Sequence, residues 1–274
     1  MKLTFRTELL TERVTRIFGF NTELMYLVEG SERAALLDTG SGFGSLRQCV
    51  EGLTEKPVSV LLTHGHTDHA LGAAEFEEVY ISPLEAEAFA VHSQLSFRRN
   101  SGRMWPDFPK LTEAQIIPPM PFDTMLPLRP GERFDLGGVS VEVHACPGHT
   151  RGSLVFLIPE ERMLLLGDAC NYCTFLYDDL SATVGEYMTS LRALQTETAG
   201  TYDRVLLSHG DGEGVPDMME RVLAVCADIL AGRADAQPFQ FLDDHALLAK
   251  AVGPDGRRMD GGAGNVVYSS RTAK

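Results

Sequence analysis

Short apolar runs that stop abruptly, several of them at a histidine or an aspartate, constrain this chain more than any other feature. Residues 24–28, 34–37, 58–62, 139–143, 154–158, 163–166 and 205–207 are such runs, with Gly, Pro, Asp or His at or close to their ends. Runs of this length are expected to be strands. Between them, apolar residues return every three or four positions after Asp68 (ALGAAEFEEV) and over 83–96, 185–197 and 217–230, which predicts helices. Alternating strands and helices imply an α/β architecture of layered sheets. No Ser/Gly-rich linker or composition break divides the chain. Residues 1–274 are therefore expected to form a single domain, with a helical, Pro-rich insertion at about 94–128.

The densest polar cluster, His64-Gly-His66-Thr-Asp68-His69, directly follows the apolar run VSVLL. In an extended stretch, residues two apart point the same way, so His64 and His66 can address one ion. Thr67 or Asp68 is suited to begin the next helix, and that turn swings Asp68 and His69 toward a neighbouring point. Three further candidates end apolar runs elsewhere: His149 after VSVEV, Asp168 after MLLLG and His209 after VLLS. Active sites of open α/β sheets gather beyond the carboxyl ends of strands, so these distant residues can meet on one edge. Five imidazoles and two carboxylates suffice for two divalent ions, and a nitrogen and oxygen donor set without thiolate suits zinc, iron or manganese. One internal echo points the same way. Val60-Leu-Leu-Thr-His-Gly-His66 and Val205-Leu-Leu-Ser-His-Gly-Asp211 lie 145 residues apart and suggest two halves of similar design.

Charge removes some partners. With 24 basic and 38 acidic side chains the net charge is −14. Non-specific nucleic-acid affinity comes from clustered Lys and Arg, so neither nucleic acid nor an anionic membrane is an expected partner. A small-molecule substrate is. Five scattered cysteines are an odd number in a chain too long for a disulfide scaffold. Together with an N-terminus interrupted by charges, they lead us to expect reduced thiols and a cytoplasmic location. Cys170-x-x-Cys173 stands alone and reads as packing thiols.

These motifs resemble the metallo-β-lactamase superfamily of αββα metallohydrolases. The resemblance rests on His64-x-His66-x-Asp68-His69, Pro147-Gly-His149-Thr, Gly167-Asp168, Ser208-His209-Gly and the upstream Leu37-Asp38-Thr-Gly, all in the family's order. It implies a four-layer αββα sandwich of two mixed β-sheets flanked by helices. It also implies that His64, His66 and His149 hold a first metal, that Asp68, His69 and His209 hold a second, and that Asp168 bridges them. Asp38 would orient a ligand histidine from behind. Two divalent ions are expected, zinc ahead of iron or manganese. The true β-lactamases commonly carry cysteine where this chain has Asp168, so the resemblance lies nearer the glyoxalase II and lactonase-like branches.

The expected chemistry is hydrolysis of a small ester, thioester or lactone by hydroxide held at the dinuclear centre. Asp68 would pass a proton to the leaving group, and Asp168 would hold both metals. Tyr172, four residues beyond Asp168, is placed to hydrogen-bond a substrate carbonyl. A phosphodiesterase-like hydrolase and a non-catalytic metal-binding sensor or scaffold are the alternatives. In the insertion, Trp105 sits near Phe97, Met104, Phe108 and Phe122, beside Arg98 and Arg99. This segment reads either as a lid, with its arginines meeting an anionic substrate group, or as a contact between copies in a homo-oligomer. His92, His144 and His245 lack partner spacing and read as structural or surface residues.

Overall fold

The computed structural model describes residues 3–274, Met104 by its backbone alone. The first sheet runs in chain order: β1 (Arg6–Leu9), β2 (Val14–Phe18), β3 (Leu24–Glu29), β4 (Ala34–Leu37), β5 (Val58–Leu61), β6 (Val79–Ile81) and β7 (Leu126–Pro127). Its first four strands pair antiparallel, whereas β4 to β7 pair parallel. Parallel neighbours need crossovers, and these carry α1 (Leu46–Glu51), α2 (Thr67–Ala70), α3 (Ala86–His92) and α4 (Leu95–Ser101).

The second sheet contains β8 (Arg133–Asp135), β9 (Ser140–Ala145), β10 (Leu154–Ile158) and β11 (Met163–Leu165). After β12 (Thr174–Leu176) leaves for a third sheet and α5 (Val184–Glu197) passes outside, β13 (Arg204–Leu206) and β14 (Glu213–Gly214) complete it. The strand order is β14-β13-β11-β10-β9-β8, with β11 and β13 parallel. α6 (Met218–Leu230) follows, and then β15 (Gln237–Phe241), β16 (Asp244–Leu248) and β17 (Val266–Tyr268), which join β12.

Alternating side chains define the layers. Leu24, Tyr26 and Val28 of β3 meet Leu154, Phe156 and Ile158 of β10 between the two large sheets. Met25 and Leu27 turn outward onto Leu46 and Val50 of α1. Val155 and Leu157 turn to the opposite outside, onto Leu191 of α5 and Val222 of α6. The order is helix, sheet, sheet, helix, the αββα sandwich. Strands buried on both faces read as unbroken apolar runs, which is why these were legible in the sequence.

Two expected helices are shorter than their patterns. After Asp68 the helix ends at Ala70, because Thr39 takes the His69 carbonyl with both its amide (2.7 Å) and its hydroxyl (2.9 Å). The 83–96 pattern breaks at Ser93 and Gln94, where Thr67 Oγ1 donates to the His92 carbonyl at 2.8 Å. The third sheet was not expected. Its β15 and β16 carry only half-buried or exposed side chains over much of their length. The insertion is α4 followed by short turns, and it binds the loop at 40–45 through Gly44 N to Gln115 O and Ile117 N to Gly42 O. Among the described residues no helix is long and apolar enough to cross a membrane.

Candidate metal centre

Five strand ends deliver the polar residues to one edge. Asp38 follows β4, the stretch from His64 to His69 follows β5, His149 follows β9, Asp168 follows β11 and His209 follows β13. Three overlapping groups bring their ligand atoms within 4.8 Å of one another: His64, His66 and His149; His64, His69 and Asp168; Asp68, His69 and His209. Asp168 Oδ2 lies 3.4 Å from His69 Nε2, 3.2 Å from His209 Nε2 and 3.9 Å from His149 Nε2, between the first and last groups. Asp68 reaches His209 Nε2 at 3.5 Å and His69 Nε2 at 3.8 Å.

The imidazoles are aimed from behind. His149 Nδ1 donates to the Phe175 carbonyl at 2.9 Å, and His69 Nδ1 donates to Asp38 Oδ2 at 2.8 Å. Each leaves its Nε2 lone pair facing the centre. Asp38 also accepts from the Thr63 amide (2.7 Å) and hydroxyl (2.8 Å), and that hydroxyl lies 3.0 Å from His64 Nδ1. One buried carboxylate therefore fixes His69 directly and His64 through Thr63. Its backbone sits at φ +63°, a left-handed conformation that Asp tolerates better than most residues and that functional sites often retain.

Whether these residues suit metal can be judged from the nitrogens alone. The Nε2 atoms of His64, His66 and His69 are buried and have no hydrogen-bond partner. Orphaned buried polar atoms are costly, and all three belong to imidazoles of the candidate ligand groups, His66 turning its other nitrogen toward His149. His66 Nδ1 and His149 Nε2 are 3.0 Å apart, close to the roughly 3.3 Å edge of a tetrahedron built on metal–nitrogen bonds of ~2.0–2.1 Å. Burial, reinforced by neighbouring imidazoles, drives His64 and His66 well below the usual histidine pKa, so they are neutral, the form that ligates. Burial opposes charge at His69 and His209 too. There the carboxylates prevail: Asp68, Asp38 and Asp168 raise His69, and Asp168 lifts His209 to about 9. Asp168 itself is held well below the carboxylate range by His209 and His69 despite its burial. The donor set suits divalent metal.

The centre forms the floor of a cavity of about 850 Å³. Phe43, Phe97, Phe175, Tyr177 and Phe241 supply aromatic wall, and Tyr172 lines it with 47% of its surface exposed. Glu87, Asp178, Asp179, Asp243 and Asp244 also line it, whereas no Lys or Arg does among the described residues. Of the residues expected to meet substrate, Tyr172 borders the cavity, as does Phe97 of the insertion, whereas Arg98, Arg99 and Trp105 do not. Arg98 is 2% exposed and donates to the carbonyls of Ile117, Ser41 and Gly42, so it ties the insertion to the loop at 40–45. Arg99 points to solvent outside the cavity lining. Trp105 stacks on Phe20 and Phe43, one layer behind the wall.

Two residues escaped the sequence reading. His92, expected to be structural or at the surface, stacks on His66 (centroids 3.8 Å apart, planes 9°) and borders the cavity, its pKa lowered by burial to about 4. Its position at the end of α3 carried no signal, since the contact is tertiary. Glu85 is fully buried behind the ligand loops. The five cysteines are free, with Cys146, Cys170 and Cys226 packed in the core, while Cys173 borders the cavity.

Comparison with known proteins agrees with this architecture. The human Acyl-coenzyme A thioesterase MBLAC2 is 27% identical over 215 residues, covering 69% of this chain and 73% of that protein. The atrochrysone carboxyl ACP thioesterase AgnL7 of Paecilomyces divaricatus is 27% identical over 202 residues, covering 69% of this chain and 54% of its own length. Among solved structures, a metallo-beta-lactamase from Pontibacter korlensis superposes with a TM-score of 0.60 at 18% identity, over 82% of this chain and 100% of that one, a likeness of fold. The family model of the metallo-beta-lactamase superfamily matches residues 19–209. On that match, which spans most of the chain and includes every strand end that delivers a candidate ligand, this protein belongs to the metallo-beta-lactamase superfamily.

Proposed function

We propose that this protein is a metal-dependent hydrolase that cleaves a thioester or ester, lactones included, whose departing group is neutral or cationic. The observation that carries the reading is the clustering of five imidazoles and two carboxylates within ligand distance of one another beside an aromatic cavity, which His66, Asp68, His149, Asp168 and His209 line. The thioesterase names of two relatives support the bond type. His64, His66 and His149 would hold one divalent ion, Asp68, His69 and His209 a second, with Asp168 between them. When bound, such a pair polarises a carbonyl and acidifies water toward a pKa of ~7.

The chain's own groups supply the rest. Asp38 and the Phe175 carbonyl keep His69 and His149 in the ligating tautomer. Asp68, whose side chain is 31% exposed against 13% for Asp168, carries the proton to the leaving group. The Tyr172 phenol stays protonated, burial raising its pKa with Asp211 adding to it, and donates to the substrate carbonyl. Phe175, Tyr177 and Phe241 enclose the acyl group. Five carboxylates farther up the wall repel a polyanion, which disfavours the phosphodiesterase alternative and an anionic substrate group.

A panel of a neutral acyl thioester, acyl-coenzyme A, a lactone, a β-lactam and a phosphodiester, run on zinc-loaded protein beside Asp168→Ala, tests this. Turnover of the neutral thioester or lactone should exceed the others and fall at least ~100-fold in the variant, the scale of losing one electrostatic stabiliser. Silence across the panel with metal bound would instead support the sensor reading.

A further inference from the structure

Glu85 is a buried carboxylate that forms no ion pair with a Lys or Arg among the described residues. It lies at the end of the turn Pro83–Glu85 that leads into α3, with 0% of its surface exposed. Its Oε2 accepts from the Gly65 amide at 2.6 Å, and its Oε1 accepts from the Thr150 hydroxyl at 2.6 Å and the Gly152 amide at 2.7 Å. Two of these donors are backbone N–H groups that cannot reverse their roles, and both carboxylate oxygens are engaged. The third, the Thr150 hydroxyl, also lies 2.7 Å from Ser153 Oγ and can donate or accept; with all three groups donating, the carboxylate acts purely as acceptor, the role of the ionised form.

The donors show where the counter-charge belongs. Gly65 stands between His64 and His66, and Thr150 follows His149, so all three loop contacts abut the first ligand group. That group consists of three imidazoles and contains no carboxylate, unlike the group of Asp68, His69 and His209. Close approach is permitted by glycine at both amides. A Cβ on Gly152 would stand 2.6 Å from Glu85 Oε1, and one on Gly65 would stand 3.0 Å from the Phe89 amide and 3.2 Å from the Glu85 carbonyl. Burial raises the Glu85 pKa even against the pull of its three donors and of nearby His149.

We propose that Glu85 is a positioning residue for the first metal: it joins the loop carrying His64 and His66 to the loop carrying His149, and it adds negative charge behind three imidazoles whose nearest carboxylate, Asp168, is shared with the second group. This rests on the metal-centre reading above. In the ion-free chain the carboxylate is an uncompensated buried charge, and in the loaded chain it is a counter-ion. Its neutralisation therefore costs the loaded state more than the ion-free one.

The test compares wild type, Glu85→Gln and Thr150→Val as apo and zinc-loaded protein, by melting temperature and by chelator competition. Competition is repeated in a His209→Ala background, where the second ligand group is broken. Glu85→Gln sets an amide NH2 against a backbone N–H in either state, so it should lower both melting temperatures, that of the loaded protein more, and weaken the first site about 10- to 100-fold. Equal loss of melting temperature in both states with unchanged zinc affinity would overturn the proposal. Should Glu85→Gln not fold, Thr150→Val decides: selective weakening of the first site by roughly 3- to 10-fold supports it, and unchanged or equal affinity at both sites overturns it. Wild type that binds no zinc would sink the metal reading itself, whereas zinc-binding variants that match wild type sink this inference alone.

Discussion

The ends of β5 and β13 carry almost the same words, VLLTHGH and VLLSHGD, in two very different settings. Each strand sits in one of the two facing sheets, and each hands a histidine to the common edge. Behind the first, Thr63 bonds Asp38 with both amide and hydroxyl, Glu85 takes the Gly65 amide, and His64 is 2% exposed. Behind the second, the Ser208 hydroxyl is buried without a partner, and the His209 side chain is 31% exposed, with Thr22 Oγ1 3.5 Å from its Nδ1. The continuation differs as well. α2 follows the first loop and adds Asp68 and His69, whereas the second turns at Gly210 and Gly212, both at positive φ, into β14. A strand end supplies one ligand from local sequence; the number of further ligands and their rigidity come from what packs behind it.

The largest effect should come from exchanging the two histidines for alanine separately. His64 belongs to two of the three ligand groups and His209 to one. His64→Ala should lose most of both metals and at least ~100-fold in turnover, while His209→Ala keeps close to one metal per chain by elemental analysis. The reverse order would invert the comparison. Next in size is Asp38→Asn, which keeps the left-handed backbone accessible but removes the carboxylate charge behind His69. Its metal affinity should fall about 10- to 100-fold at little change in circular dichroism. An unchanged chelator-competition curve would show that the buried carboxylate is not what stiffens the β5 end.

The smallest expected effect concerns the outside of the β13 loop. Arg16 donates to the Asp211 carbonyl and pairs with Glu213, which also pairs with Arg204 at 2.6 Å. Burial opposes ionisation of Glu213, yet Arg204 and Arg16 hold its pKa below the usual value. A depressed folded-state pKa means that this contribution is complete above the ordinary glutamate value of ~4.3 and is lost as pH falls through the folded one. Glu213→Gln should thus cost under about 1 kcal/mol at pH 7, since the pair is partly exposed, and nothing once wild-type Glu213 is protonated. Denaturant midpoints measured from pH 7 to 3 would check it, and a difference that persists in acid would contradict it.

The substrate side was less legible than the centre. Arg98 looked like an anion contact because its neighbours in sequence are aromatic and basic, but helix α4 turns it inward onto three carbonyls. The acidic wall comes partly from Asp243 and Asp244, at the turn between β15 and β16, more than 70 residues from Asp168 along the chain. Nothing in local spacing ties those residues to the cavity. The net charge of −14, which reads as a property of the outer surface, extends into the cavity wall.

By itself the sequence determined the layers and the candidate ligands, for a physical reason: strands buried on both faces must be apolar throughout, and a polar cluster at such a strand's end has nowhere to go but the sheet edge. Only the tertiary structure decided what stands behind and around that edge. Glu85, His92, Arg98 and Asp243 each act through a neighbour remote in sequence, and hydrogen bonds of that kind leave no periodicity to read.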